Sequence, residues 1–109
     1  MTTSVDLIID NGRIVDGTGA PTAAGGVALK GDRIVAVGDV EAYRATQHID
    51  AAGAVIAPGF IDCHTHDDRA LLDDPAMNCK VSQGVTTVIG GNCGVSIAPF
   101  VPSDDWRMP

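Results

Sequence analysis

Ala57-Pro58-Gly59-Phe60-Ile61-Asp62-Cys63-His64-Thr65-His66-Asp67-Asp68 is the stretch on which the reading of this chain turns. Two histidines stand two positions apart at the end of a short apolar run. If that run is a strand, the alternation of side chains puts His64 and His66 on one face. Such a pair suits a single metal ion, because neutral imidazole is a common ligand for zinc and related divalent metals. Spacing alone is also compatible with two ordinary polar positions near a strand end. On a regular strand Cys63 faces the opposite side and packs, and Asp62 shares the histidine face, where it could orient a ligand. Asp67 and Asp68 could orient ligands or contact a substrate, or they could be solvated loop acids.

Downstream, Asp74-Pro75 reads as a helix start, with Asp as N-cap and Pro at the first helical position. Ala76, Met77, Lys80 and Val81 follow at helical spacing, and Gly84 is a stop signal. Cys79 falls inside this helix and reads as structural. Val85-Thr86-Thr87-Val88-Ile89 is rich in β-branched residues and predicts a strand, ending at Gly90-Gly91-Asn92-Cys93-Gly94. The result is a β-α-β unit, which normally pairs its strands in parallel. Both chemically loaded segments then lie at the C-terminal ends of their strands. Cys93 is either a small half-buried hydrophobe or a thiolate ligand reached from the neighbouring strand end. Gly90-Gly91 is too short for a phosphate loop.

Upstream, the first half reads as short strands and tight turns. Val5 to Asp10 is a strand, and Asn11-Gly12 before Arg13-Ile14-Val15 predicts a hairpin. Asp16 to Pro21 is a loop. Val27 to Lys30 and Arg33 to Val37, separated by Gly31-Asp32, predict a second hairpin. Residues 41–46 are expected to form a helical turn. His48 to Asp50 and Ala54 to Ala57 flank a turn at Ala51-Ala52-Gly53, with His48 at the surface or a strand edge and without a partner.

The 109 residues suffice for a small domain with a core but not for a full (β/α)8 barrel, which takes about 250. At 45% hydrophobic residues the chain is expected to fold. A net charge of -7 argues against nucleic acid as a partner. The N-terminus has no basic and apolar secretory pattern, and no apolar run approaches the roughly 20 residues of a membrane helix. A cytoplasmic location with no membrane partner is therefore expected. Three cysteines without a C-x-x-C argue against a disulfide framework.

Taken together, Pro58-Gly59-Phe60-Ile61-Asp62-Cys63-His64-Thr65-His66 resembles the first-strand signature of the amidohydrolase superfamily. Asp6 to Gly17 and Gly31 to Gly38 resemble the N-terminal strands of the same group. Ser82-Gln83-Gly84-Val85-Thr86-Thr87-Val88, followed by Gly91-Asn92-Cys93-Gly94, is similar to the N-acyl-D-amino-acid deacylases, or D-aminoacylases. The resemblance implies a mixed α/β fold. Residues 1–57 would be the N-terminal part of a small β-sandwich domain, and residues 58–109 the first β-α-β unit of a truncated TIM-like (β/α)8 metallo-hydrolase barrel. It implies His64, His66 and Cys93 as ligands of one or two Zn2+ ions, with Cys93 standing where other amidohydrolases use a carboxylated lysine. It implies hydrolysis of N-acyl-D-amino acids to a D-amino acid and a carboxylate by a metal-activated hydroxide. The general-base aspartate and further histidine ligands are expected beyond residue 109, so the chain alone is expected to be inactive. Two alternatives are a dihydropyrimidinase- or dihydroorotase-like enzyme, against which Gly-Asn-Cys-Gly argues, and a non-catalytic structural or metal-binding module.

Overall fold

Strand β1, Thr3–Ile14, organises the N-terminal half of the computed structural model, which describes residues 2–97. The chain divides into two compact units, Met1–Pro58 and Gly59–Pro109. Residues 98–109, the end of the expected barrel segment, lie outside the described residues.

In the first unit β1 is followed by β2 (Ala23–Lys30), β3 (Arg33–Gly38), β4 (Tyr43–Asp50) and β5 (Val55–Ile56). The sheet order is β3-β2-β1-β4, with β5 also on β1. β2 is antiparallel to β1 and β3, whereas β4 and β5 run parallel to β1. The hairpin expected at Gly31-Asp32 forms, with Lys30 opposite Arg33 and Gly31 at φ 57°. Asp6 closes it by accepting the Gly31 N–H at 2.6 Å.

Two expectations fail here. Asn11-Gly12 does not turn the chain: β1 runs straight through it. The pairing passes from Ile9–Val27 to Gly12–Gly25, so β1 holds one extra residue, a β-bulge with Asn11 at φ 51°. The tolerance of Asn for positive φ is used for a bulge, and its side chain is pinned by a 2.8 Å hydrogen bond to Asp50. Residues 41–46 are not helical either, because Tyr43–Asp50 is β4. Pairing with the whole first half of β1 outweighs a weak local helix preference. His48, exposed on this edge strand, does have a partner, Asp10, at 3.0 Å. The buried core is Val5, Ile8 and Ala28, with Ala36, Val40, Tyr43 and Ala45 packed on it.

The second unit holds β6 (Phe60–Asp62), α1 (Ala70–Asp73), α2 (Asn78–Val81) and β7 (Val85–Val88). β6 and β7 pair in parallel, so the expected β-α-β connection forms. The helix expected to start at Asp74-Pro75 does not. Asp74 instead ends α1, and Met77, buried and at φ 47°, separates α1 from α2. The N-terminal signal is thus spent on a break, where Asp74 accepts the Asn78 N–H at 3.4 Å. Gly84, at φ 80°, stops α2 as expected and passes its carbonyl to the Phe60 N–H at 2.8 Å. Among the described residues no helix is long and apolar enough to cross a membrane.

Candidate metal centre

β6 ends at Asp62, so the two histidines do not lie on the strand as alternation supposed. They sit in the loop that follows, and backbone anchoring, not pleat, brings them together. Asp62 accepts the His64 N–H at 3.2 Å through Oδ1. Its carbonyl accepts the Ile89 N–H at 2.9 Å, and Thr65 donates its N–H to the Ile89 carbonyl at 3.4 Å. Two backbone hydrogen bonds on Ile89 therefore hold the two loops together just past the strands. Asn92 completes the join by donating from Nδ2 to the carbonyls of Thr65 (3.1 Å) and Ile89 (2.7 Å). Thr65 is buried, as it must be to hold this position between the two loops.

After β7 the chain turns through Gly91 (φ 76°) into a short 3-10 turn, Asn92–Gly94, in which Cys93 takes φ 55°. A left-handed cysteine is costly, since Cβ crowds the following carbonyl. Here that conformation aims the thiol at the histidine loop. One ligand atom from each of His64, His66 and Cys93 lies within 4.8 Å of the others. Cys93 Sγ is 3.5 Å from His64 Nε2, and the two imidazole centroids are 5.7 Å apart. All three side chains are exposed, so the group opens outward. On one tetrahedral zinc, with ordinary Zn–S and Zn–N lengths, sulfur and nitrogen stand about 3.6 Å apart. The Cys93–His64 separation fits that value, and imidazole nitrogen and thiolate sulfur are both ordinary zinc ligands.

Behind these donors lies a charge cluster that sequence reasoning missed. Lys80, from α2, places Nζ 2.6 Å from Asp62 Oδ2 and 2.8 Å from Asp67 Oδ2. The Asp67 oxygen is buried, within ion-pair range of Lys80 but out of line for a hydrogen bond. The Lys80 ammonium, helped by the His64 backbone N–H, holds Asp62 below the usual carboxylate range. Lys80, helped by the Thr65 hydroxyl, does the same for Asp67. In return Asp62 and then Asp67 hold Lys80 well above the ordinary lysine range. Both acids and the lysine are therefore charged at neutral pH, and they tie α2 to the loop that bears both histidines.

The expected donors His64, His66 and Cys93 are thus brought together. Asp62 reaches the histidine loop through the backbone, accepting the His64 N–H with Oδ1 while Oδ2 faces Lys80. Asp67 and Asp68 are not solvated loop acids: Asp67 meets Lys80, and Asp68, buried, accepts the Gly91 N–H. Cys63 and Cys79 are free and exposed, so neither packs in a core as expected. Lys80 carried no signal beyond helical spacing, because its partners lie 13 and 18 positions away. Asn92 was legible only as part of a turn.

Comparison with known proteins follows the same lines. Residues 47–109 match the model of the amidohydrolase family. The chain is 46% identical over 99 residues to an N-acyl-D-glutamate deacylase of Alcaligenes xylosoxydans xylosoxydans, covering 91% of this chain and 20% of the relative. It is 53% identical over 95 residues to an N-acyl-D-aspartate deacylase of the same organism, covering 87% and 19%. The chain thus spans about a fifth of the length of these curated relatives. The fold superposes with a TM-score of 0.83 on the N-acyl-D-glutamate deacylase of Bordetella bronchiseptica, solved with zinc and a phosphonate mimic of the tetrahedral intermediate. That match has 46% identity and covers 89% of this chain and 20% of that one. With the family model matching more than half of its length, the chain belongs to the amidohydrolase family.

Proposed function

We propose that the protein containing this chain is a zinc-dependent deacylase that hydrolyses the amide bond of N-acyl-D-amino acids. The observation that carries the reading is the convergence of His64, His66 and Cys93 just past the ends of two parallel strands. Relatives that act on N-acyl-D-glutamate and N-acyl-D-aspartate, and a zinc-bound neighbour, support the substrate class and the metal.

In this reading residues 1–57 contribute to a small β-domain, and residues 58–109 begin a (β/α)8 barrel. β6 and β7 are its first two strands. Phe60 and Ile61 on β6 are more than half exposed, and a parallel pair of this kind is normally covered on both faces and flanked by further strands. The donor cluster then lies on the face where barrel enzymes work.

His64, His66 and Cys93 hold the metal. When bound, a divalent ion supplies Lewis acidity toward the amide carbonyl and acidifies a water toward neutral pH. The side chains around it supply rigidity. Lys80 fixes Asp62 and Asp67, and Asp62 in turn fixes the His64 backbone. These acids are occupied in holding the site, so proton transfer to the leaving amine is assigned to a carboxylate outside this stretch.

The test is hydrolysis of N-acetyl-D-glutamate, N-acetyl-D-aspartate and N-acetyl-D-leucine, with their L-enantiomers as controls, by the intact protein. Activity on a D-substrate that is lost with a chelator and restored by zinc is expected. A zinc-replete protein that hydrolyses none of the D-substrates contradicts the proposal.

A further inference from the structure

We propose that Asp68 is a positioning residue of the metal centre, clasping the Cys93 turn to the histidine loop so that the three donors stand together before a metal arrives. The inference rests on the metal-site reading above and adds how that site is held.

Asp68 is 8% exposed, and both carboxylate oxygens lie 3.1 Å from the Gly91 backbone nitrogen. Gly91 begins the turn that carries Cys93, and Asp68 is two residues past His66. One side chain therefore bridges the two loops that contribute donors. Lys80 pairs with Asp62 and Asp67, and neither of those ion pairs includes Asp68. Among the described residues, the Gly91 N–H is the hydrogen bond that holds this buried side chain. A charge-assisted bond is roughly twice as strong as a neutral one. That strength is needed here, because Cys93 sits at a positive φ that it would leave if the turn were free.

The glycine before the clasp fits the same purpose. A Cβ on Gly90 would meet Asp68 Oδ2 at 2.9 Å, Oδ1 at 3.0 Å and Cγ at 3.1 Å. Gly90 is not at positive φ, so what a side chain there would meet is the Asp68 carboxylate and not a backbone restriction. The carboxylate and the bare backbone are two halves of one contact. Asp68 accordingly acts on Cys93 through the backbone, without being a ligand itself. Partners of this kind, one step removed from a metal, typically change metal affinity by 10–100-fold when lost.

The test uses Asp68→Ala and Gly90→Ala in the intact protein. The first deletes the acceptor; the second keeps Asp68 but crowds its carboxylate against the turn, so that the two must part. Cobalt(II) replaces zinc as probe, because thiolate-to-cobalt charge transfer in the near ultraviolet reports Cys93 coordination directly. Zinc affinity is measured by competition with a chelator. Wild-type protein should show the band. Both variants should show it weakened, with zinc bound about 10-fold or more weakly. A folded variant of either kind with the full band and wild-type zinc affinity overturns the proposal. If Asp68→Ala does not fold, Gly90→Ala decides alone. Absence of the band in wild-type protein would instead overturn the metal-site reading itself.

Discussion

Replacing Cys93 by glycine should stabilise the metal-free protein while abolishing its thiolate. Cys93 is exposed and holds φ 55°, so its side chain contributes strain but little burial. Relief of a left-handed conformation returns about 1–2 kcal/mol. Glycine gives back part of this, about 0.5–1 kcal/mol, through the greater freedom of its unfolded chain. The net gain is about 1 kcal/mol. Cys93→Ala keeps the strain and should leave the metal-free protein near wild type. Metal reverses the order. At a free zinc concentration 100-fold above Kd, binding adds about 2.7 kcal/mol to the wild type. That exceeds the relief, and neither variant should receive it in full. The assay is the urea midpoint of wild type, Cys93→Gly and Cys93→Ala in the intact protein, with chelator and with zinc. Glycine should be most stable with chelator, and wild type with zinc. If Cys93→Gly is less stable than Cys93→Ala in chelator, strain at Cys93 is not what the metal site works against.

Two further outcomes follow from the packing and the charge cluster. Asp62 and Asp67 are held below their ordinary 3.8, so their pairing stabilises the protein above about that pH and is lost as pH falls through their lower native values. Lys80 is raised above 10.5, so its share is complete below 10.5 and lost only as pH climbs through its native value. Wild-type stability from this cluster should be flat between those limits. Lys80→Met leaves two facing carboxylates, so its thermal midpoint should rise on acidification from pH 7 toward 4, and a profile parallel to wild type would count against the cluster. In the first unit, Val5→Ala deletes two methyl groups from a 2% exposed site and should cost about 2 kcal/mol in urea unfolding, whereas Ile34→Ala, at 64% exposed, should stay within about 0.5.

The sequence made the donors legible more readily than the means of holding them. His64, His66 and Cys93 announce themselves by residue type and by their place after apolar runs. The Gly31-Asp32 hairpin and the Val85–Val88 strand were legible for the same reason: local chemistry and final structure agree there. Asn11-Gly12 misled because a positive φ serves a bulge as well as a turn, and only the β4 and β5 partners of β1 decide between them. Residues 41–46 misled because strand pairing with distant residues overrode local preference. Asp74-Pro75 misled because the signal that starts one helix can also end another. Lys80, Thr65, Asn92 and Asp68 act through contacts 13 to 27 positions apart, and no short-range pattern records such contacts.

The central claim is that His64, His66 and Cys93 hold one metal ion. X-ray absorption at the zinc edge, on intact protein loaded with one equivalent of zinc, tests it most directly. One sulfur at about 2.3 Å beside imidazole nitrogens at about 2.0–2.1 Å is expected, with the sulfur lost in Cys93→Ala. A first shell of nitrogen and oxygen alone in the wild type, or a sulfur that persists in Cys93→Ala, would contradict it.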